Sequence, residues 1–177
     1  MEEFSVNTTM LILRIIHIFT GVFWAGFAFF NIIFLQPTIK AIGADGQKTM
    51  QHLTQKTNFL NTLYIAATLT VLSGLIMYWI LAGSQFALLK GGLGHSITTG
   101  GVAGIIVWVL LMFIIHPIFN RMKAIGKEVQ AQNSPPNAEQ QAELQALVVK
   151  LGKVGKYAGI LLAICLLGMA AARYSVF

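Results

Sequence analysis

The sequence predicts an all-α integral membrane protein, a four-helix up-down bundle with both termini outside. Three observations predict it. Of the 177 residues, 56% are hydrophobic and only 10% are charged, against about 25% charged in a typical soluble domain. A soluble chain of this length has too small an interior to hide so much apolar side chain. The stretches 15–39, 57–89, 91–120 and 157–172 contain no Asp, Glu, Lys or Arg. The basic residues collect between alternate stretches, which fixes an orientation.

A helix needs about 20 apolar residues to cross the hydrocarbon of a bilayer. The four stretches therefore predict spans at about 9–35, 58–82, 96–119 and 155–173, in a single domain covering 1–177. The fourth stretch has 16 uncharged residues, roughly 24 Å of helix. Lys156 and Arg173 at its ends can snorkel to the interfaces. The runs are continuous rather than alternating, which excludes a β-barrel. The opening Met1-Glu2-Glu3-Phe4 lacks the basic start and cleavage site of a signal peptide, so the first span is expected to stay in the mature protein.

Lys40, Lys48 and Lys56 follow the first span, and Arg121, Lys123, Lys127, Lys150, Lys153 and Lys156 lie between the third and fourth. These nine face Arg14, Lys90 and Arg173 on the other side. Cytoplasmic loops carry the Lys and Arg excess, so both basic loops are expected inside, in a prokaryotic cytoplasmic membrane. The net charge of +6 is then a topology signal, and nucleic acid is not expected as a partner. The expected surroundings are the lipid bilayer, with a redox partner or a quinone and further copies of the chain as candidate partners.

Local signals place the helix ends. Gly43 reads as the stop of the first helix and Asp45 as the N-cap of the next. Asn133-Ser134-Pro135-Pro136-Asn137 is the clearest breaker. The third helix should run to about Gln132 and the fourth should start near Asn137, forming a polar hairpin beyond the membrane. Gly91-Gly92-Leu93-Gly94 reads as a flexible outer turn, because no strand precedes it to make a phosphate loop. Pro37 with Lys40-Ala41-Ile42-Gly43, and Pro117 with Lys123-Ala124-Ile125-Gly126, hint at a duplicated two-helix unit. Coincidence in a biased composition explains the same pattern.

Ionisable residues inside spans are costly and often functional. Arg14 and His17 share a face of the first helix, and Gly21, Trp24 and Ala28 continue it. A nitrogen ligand, a guanidinium one turn outward and a glycine one turn inward suit a flat cofactor such as haem b, with the arginine meeting a propionate. A hydrogen-bonded interfacial histidine, a snorkelling arginine and a packing glycine suit the same residues. His95 and His116 stand near the two ends of the third helix, and His52 follows Asp45 by seven residues. His95 and His116 are 21 residues apart, which on a straight helix puts them within about 60° of each other.

An outer pair of His17 with His95 and an inner pair of His52 with His116 follow as candidate metal ligands, with Met112 as a soft co-ligand. Counting from Pro37 and Pro117, His17 and His95 lie 20 and 22 residues outward, an offset of roughly 3 Å. Counting from the centres of the apolar runs gives nearer 10 Å. Copper is the alternative to haem at these residues. Small residues at Gly100 and Gly104, and at Gly155, Gly159 and Ala163, read as packing seams, and Asn31, Thr62, Thr68 and Ser73 as interhelical hydrogen bonders. Cys165 is the only cysteine, so no intrachain disulfide forms. No span contains a carboxylate, which argues against a proton-coupled transporter. No Ser/His/Asp set stands out.

Arg14-x-x-His17-x-x-x-Gly21-x-x-Trp24-x-Gly26 resembles the first helix of several small helical membrane families. They are the CopD-like copper-resistance proteins, the HemJ-type protoporphyrinogen oxidases and the membrane domain of the cytochrome-linked urate oxidase. Ile114-Ile115-His116-Pro117 with its following basic helix looks most like the last of these. The resemblance implies haem or copper in a helical bundle, with His17 as ligand and Arg14 and Trp24 lining the site. The departures are Gln36-Pro37 where HemJ-type proteins carry a second histidine, and the absence of a following cytochrome c domain. The expected role is electron transfer or a haem-linked oxidoreductase step; a copper-handling protein and a non-catalytic subunit of a larger membrane complex are the rivals.

Overall fold

The computed structural model describes residues 8–84 and 91–174. Among them the chain forms five helices, of which four are long and apolar enough to cross a membrane. Helix α1 runs Thr8–Ile42, α2 Ala44–Lys56, α3 Phe59–Ser84, α4 Gly92–Gln132 and α5 Ala138–Ala171. A 3-10 turn, Ala172–Tyr174, follows α5.

Two of the long helices are interrupted in the same way. A π turn spans Asn31–Leu35 in α1 and another spans Leu111–Ile115 in α4. Each stops one residue short of an X-Pro pair, Gln36-Pro37 and His116-Pro117. The cause is proline chemistry. Pro has no N–H to donate, and its ring collides with the carbonyl four residues back. Widening the preceding turn lets the helix absorb the misfit without a sharp break. The widened turn also adds a residue to the helix, which changes the facing of everything beyond it. Between His95 and His116 that extra residue turns the straight-helix separation of about 60° into roughly 160°.

Gly43 joins α1 to α2 with φ +70° and ψ −125°, a conformation open to glycine, and it caps both helices. Asp45 is therefore not the N-cap. It lies in the first turn of α2, where a carboxylate complements the helix dipole, and it pairs with Lys48 at 3.0 Å. Gly92 and Gly94 are also not turn residues; they begin α4, and Gly94 is buried.

The α4–α5 hairpin follows its breaker signals. Asn133 adopts the left-handed conformation, φ 47°, and ends α4. Asn137 caps α5 through a reciprocal pair of hydrogen bonds with Gln140, at 2.8 and 3.0 Å. Arg121 ties the two arms outside the apolar run: its Nε and Nη2 donate to the two oxygens of Glu143 at 2.7 and 2.8 Å, and Nη1 donates to Glu128 at 3.2 Å. The guanidinium holds the Glu143 carboxyl below the usual carboxylate range.

Helix α1 packs along α3, and α4 along α5, while contacts between these two pairs are sparser. All four long helices meet in one core of Trp24, Ala25, Leu63, Ala67, Val107, Leu111, Ala158 and Leu162. The outward faces are apolar. Phe19 is 76% exposed, Phe113 70%, Leu167 70% and Trp79 81%. Such a surface is costly in water and fits hydrocarbon.

Candidate functional site

His17 is half-buried and faces α3. Its Nδ1 lies 2.8 Å from the backbone oxygen of Thr70. A carbonyl only accepts, so Nδ1 carries the hydrogen, and in the neutral ring Nε2 keeps its lone pair. The ring fits because residue 74 has no side chain: a Cβ on Gly74 would stand 2.8 Å from His17 Cε1. The neighbouring turns close the seam. Thr20 Oγ1 and Thr70 Oγ1 share a hydrogen bond of 2.8 Å, and a Cβ on Gly21 would meet Thr70 Cγ2 at 3.3 Å. The triplet His17, Thr20, Gly21 thus meets the triplet Thr70, Ser73, Gly74, each spaced i, i+3, i+4 along one helix face.

The other sequence-derived candidates lie elsewhere. Arg14 is exposed, one turn outward of His17. Gly21 opposes Thr70 rather than open space. Trp24 is 5% exposed and belongs to the core. His95 is exposed in the first turn of α4, and no hydrogen bond joins it to His17. His52 is exposed on α2. His116 is half-buried; its ring meets the Tyr64 ring edge-on with centroids 4.7 Å apart, and its Nε2 accepts from Asn120 Nδ2 at 3.2 Å. Among the described residues no three of His, Cys, Asp and Glu gather into a metal-binding group.

These placements test the donor chemistry of the two cofactors. A porphyrin brings its own equatorial nitrogens and asks the protein for only an axial ligand or two. A histidine held by Nδ1–H to a backbone carbonyl, with Nε2 free, is the usual form of such a ligand. Copper asks for more donors from side chains. The residues present fit one axial bond to haem iron; they do not shape a cradle for the ring at Gly21.

A second feature lies deeper. A cavity of about 100 Å³ runs between the two helix pairs from the Trp24 level to Gln36 and Met50. Both π turns contribute to its wall, through Asn31 and Ile32 and through Leu111 and Ile115. Two residues of that wall carry buried polar atoms without a partner, Asn31 Oδ1 and Tyr64 Oη.

No family model, curated protein or solved structure matches this chain. Sequence reasoning singled out His17 but not Thr20, Thr70 or Gly74 as its setting. The signal was present, since Thr70-x-x-Ser73-Gly74 repeats the spacing of His17-x-x-Thr20-Gly21. Thr68 does bond across helices, accepting from Trp108 Nε1 at 3.1 Å. Thr62 bonds within its own helix, to the Asn58 oxygen.

Proposed function

We propose that this chain is an integral protein of the prokaryotic cytoplasmic membrane that binds b-type haem through His17 and serves electron transfer or a haem-linked oxidoreductase step. The single observation that carries this reading is the 2.8 Å contact from His17 Nδ1 to the Thr70 carbonyl. It fixes the tautomer and leaves Nε2 to bind iron. Haem, when bound, supplies a one-electron redox couple. The chain's own part is to hold the imidazole against Gly74 and to offer Arg14, one turn outward, to a propionate. His95 is the second ligand in this proposal by residue type and outer position. The first-helix motif, with its likeness to haem and copper membrane families, supports the same reading. The bundle is proposed as up-down with both termini outside, on the strength of the Lys and Arg asymmetry.

One observation favours a second reading. The Thr20–Thr70 bond and the Gly21 and Gly74 contacts already account for this seam as helix pairing, as a non-catalytic subunit of a larger complex would need. An absorption spectrum of the detergent-purified protein separates the readings. The haem reading expects a Soret band that His17→Ala loses and His52→Ala keeps. A band indifferent to His17→Ala removes haem from this site. Stoichiometric copper without a Soret band would replace haem by copper, and absence of both would leave the pairing role.

A further inference from the structure

We infer that the cavity between the two helix pairs is a binding site for an uncharged, lipid-soluble ring compound of the quinone class, bound by hydrogen bonds from Asn31 and Tyr64. The site is distinct from His17: Asn31 lies 14 residues further along α1, roughly 21 Å at the helical rise.

The first support is the pair of orphan atoms. Asn31 Oδ1 and Tyr64 Oη are buried and unpartnered. Buried polar atoms in native proteins are nearly always bonded, because losing water without a replacement costs roughly 1–3 kcal/mol each. Both residues line one cavity, so a small turn of each side chain would bring the two atoms to a common partner that both can bond. Tyr64 can donate to a carbonyl, and the Asn31 oxygen can accept from a hydroxyl. The reduced ring, a hydroquinone, meets both demands through its hydroxyls; the oxidised ring can only accept, from Tyr64.

The second support is the character of the wall. No Asp, Glu, Lys, Arg or His lines the cavity, so a charged ligand would have no counter-ion. Gln36 adds one further polar group, and Trp24, Leu111 and Gly159 represent the apolar remainder. Water alone suits this wall poorly, since each molecule wants about three partners. The volume of about 100 Å³ is somewhat below the ~150 Å³ that holds a benzene ring in an engineered cavity, so a single six-membered ring fits with a small outward shift of its walls. Gly159 sets the limit, because a Cβ there would lie 2.7 Å from Ile32 Cδ1.

The third support is local geometry. Both π turns stand at this cavity, and π turns occur frequently at functional sites.

Trp24 gives the test its reporter. In a Trp79→Phe/Trp108→Phe chain purified in detergent, Trp24 is the sole tryptophan. The chain is titrated with a short-chain benzoquinone bearing one isoprene unit, with naphthalene as a ring lacking oxygens. The same titration in a His17→Ala background keeps the result independent of haem. We expect saturable quenching by the benzoquinone with affinity lowered about fivefold by Tyr64→Phe, and competition by the corresponding hydroquinone weakened about fivefold by Asn31→Leu, the loss of one hydrogen bond each. Thermal melts of both variants check that they fold. Quenching that is linear in quinone, or equal for naphthalene, overturns the proposal. So does an unchanged affinity in both variants, which would mean that the ring binds without Asn31 and Tyr64.

Discussion

The two tightly packed helix pairs solve one problem by different means. In lipid, helices gain little by hiding apolar surface from each other, so close packing and interhelical hydrogen bonds must hold them. The α1–α3 seam uses polar contacts: His17 to the Thr70 carbonyl, Thr20 to Thr70, with Gly74 making room for the ring. The α4–α5 seam uses nearness of backbone. A Cβ on Gly100 would lie 3.0 Å from the Cys165 carbonyl oxygen, and one on Gly168 would lie 3.1 Å from that of Ser96. The two seams therefore yield in different ways. Side chains in the first seam can turn aside. Backbone in the second cannot, unless the helices separate.

The largest effect is therefore expected in the second seam. Gly100→Leu should force α4 from α5 and cost about 3 kcal/mol, the upper end of overpacking, read as a fall in melting temperature of about 10 °C in detergent. Gly155→Ala, with nothing within 4 Å of its Cβ, should melt with the parent. Equal melting of Gly100→Leu and the parent would deny that backbone contact holds this pair.

An intermediate effect is expected from Gly74→Ala. The new methyl meets His17 Cε1 at 2.8 Å, so the imidazole must leave the Thr70 carbonyl. The loss should be about 1–2 kcal/mol, one buried hydrogen bond with some repacking. The sharper reading is spectroscopic: the ¹⁵N signature of a fixed Nδ1–H tautomer should vanish. A tautomer that survives the substitution would show the contact to be weaker than its length suggests.

The smallest effect is expected from Thr20→Val, which removes one of several polar contacts. Interhelical hydrogen bonds in membranes average about 0.6 kcal/mol, so denaturant or thermal curves should shift by that amount. A loss above ~2 kcal/mol would place Thr20, rather than His17, at the centre of the seam.

The features legible in the sequence are those set by neighbours in the chain. Uninterrupted apolar runs gave the four long helices, Gly43 gave the stop of α1, and the Asn133–Asn137 breaker gave the hairpin ends. Most of what escaped depends on distant partners. Gly21 reads as space for a flat ring, yet Thr70 of another helix fills that space. Gly155 and Ala163 read as a seam, whereas α5 meets α4 through Cys165 and Gly168. Asp45 reads as a cap because its residue type favours caps, but the backbone freedom of Gly43 set the junction two residues earlier. The prolines were visible, but the widened turns before them were not, and a helical projection drawn across them loses its phase.

Those turns also limit how the chain can change length. A π turn is one surplus residue that a helix must tolerate, and two of them stand 80 positions apart, at 31–35 and 111–115, each ending just before an X-Pro pair. Because a proline follows each, the same local cause suffices for both. Deleting the surplus residue would turn everything beyond it by about 100°, so at both places one lost residue would exchange the lipid-facing and the inward-facing sides of a helix.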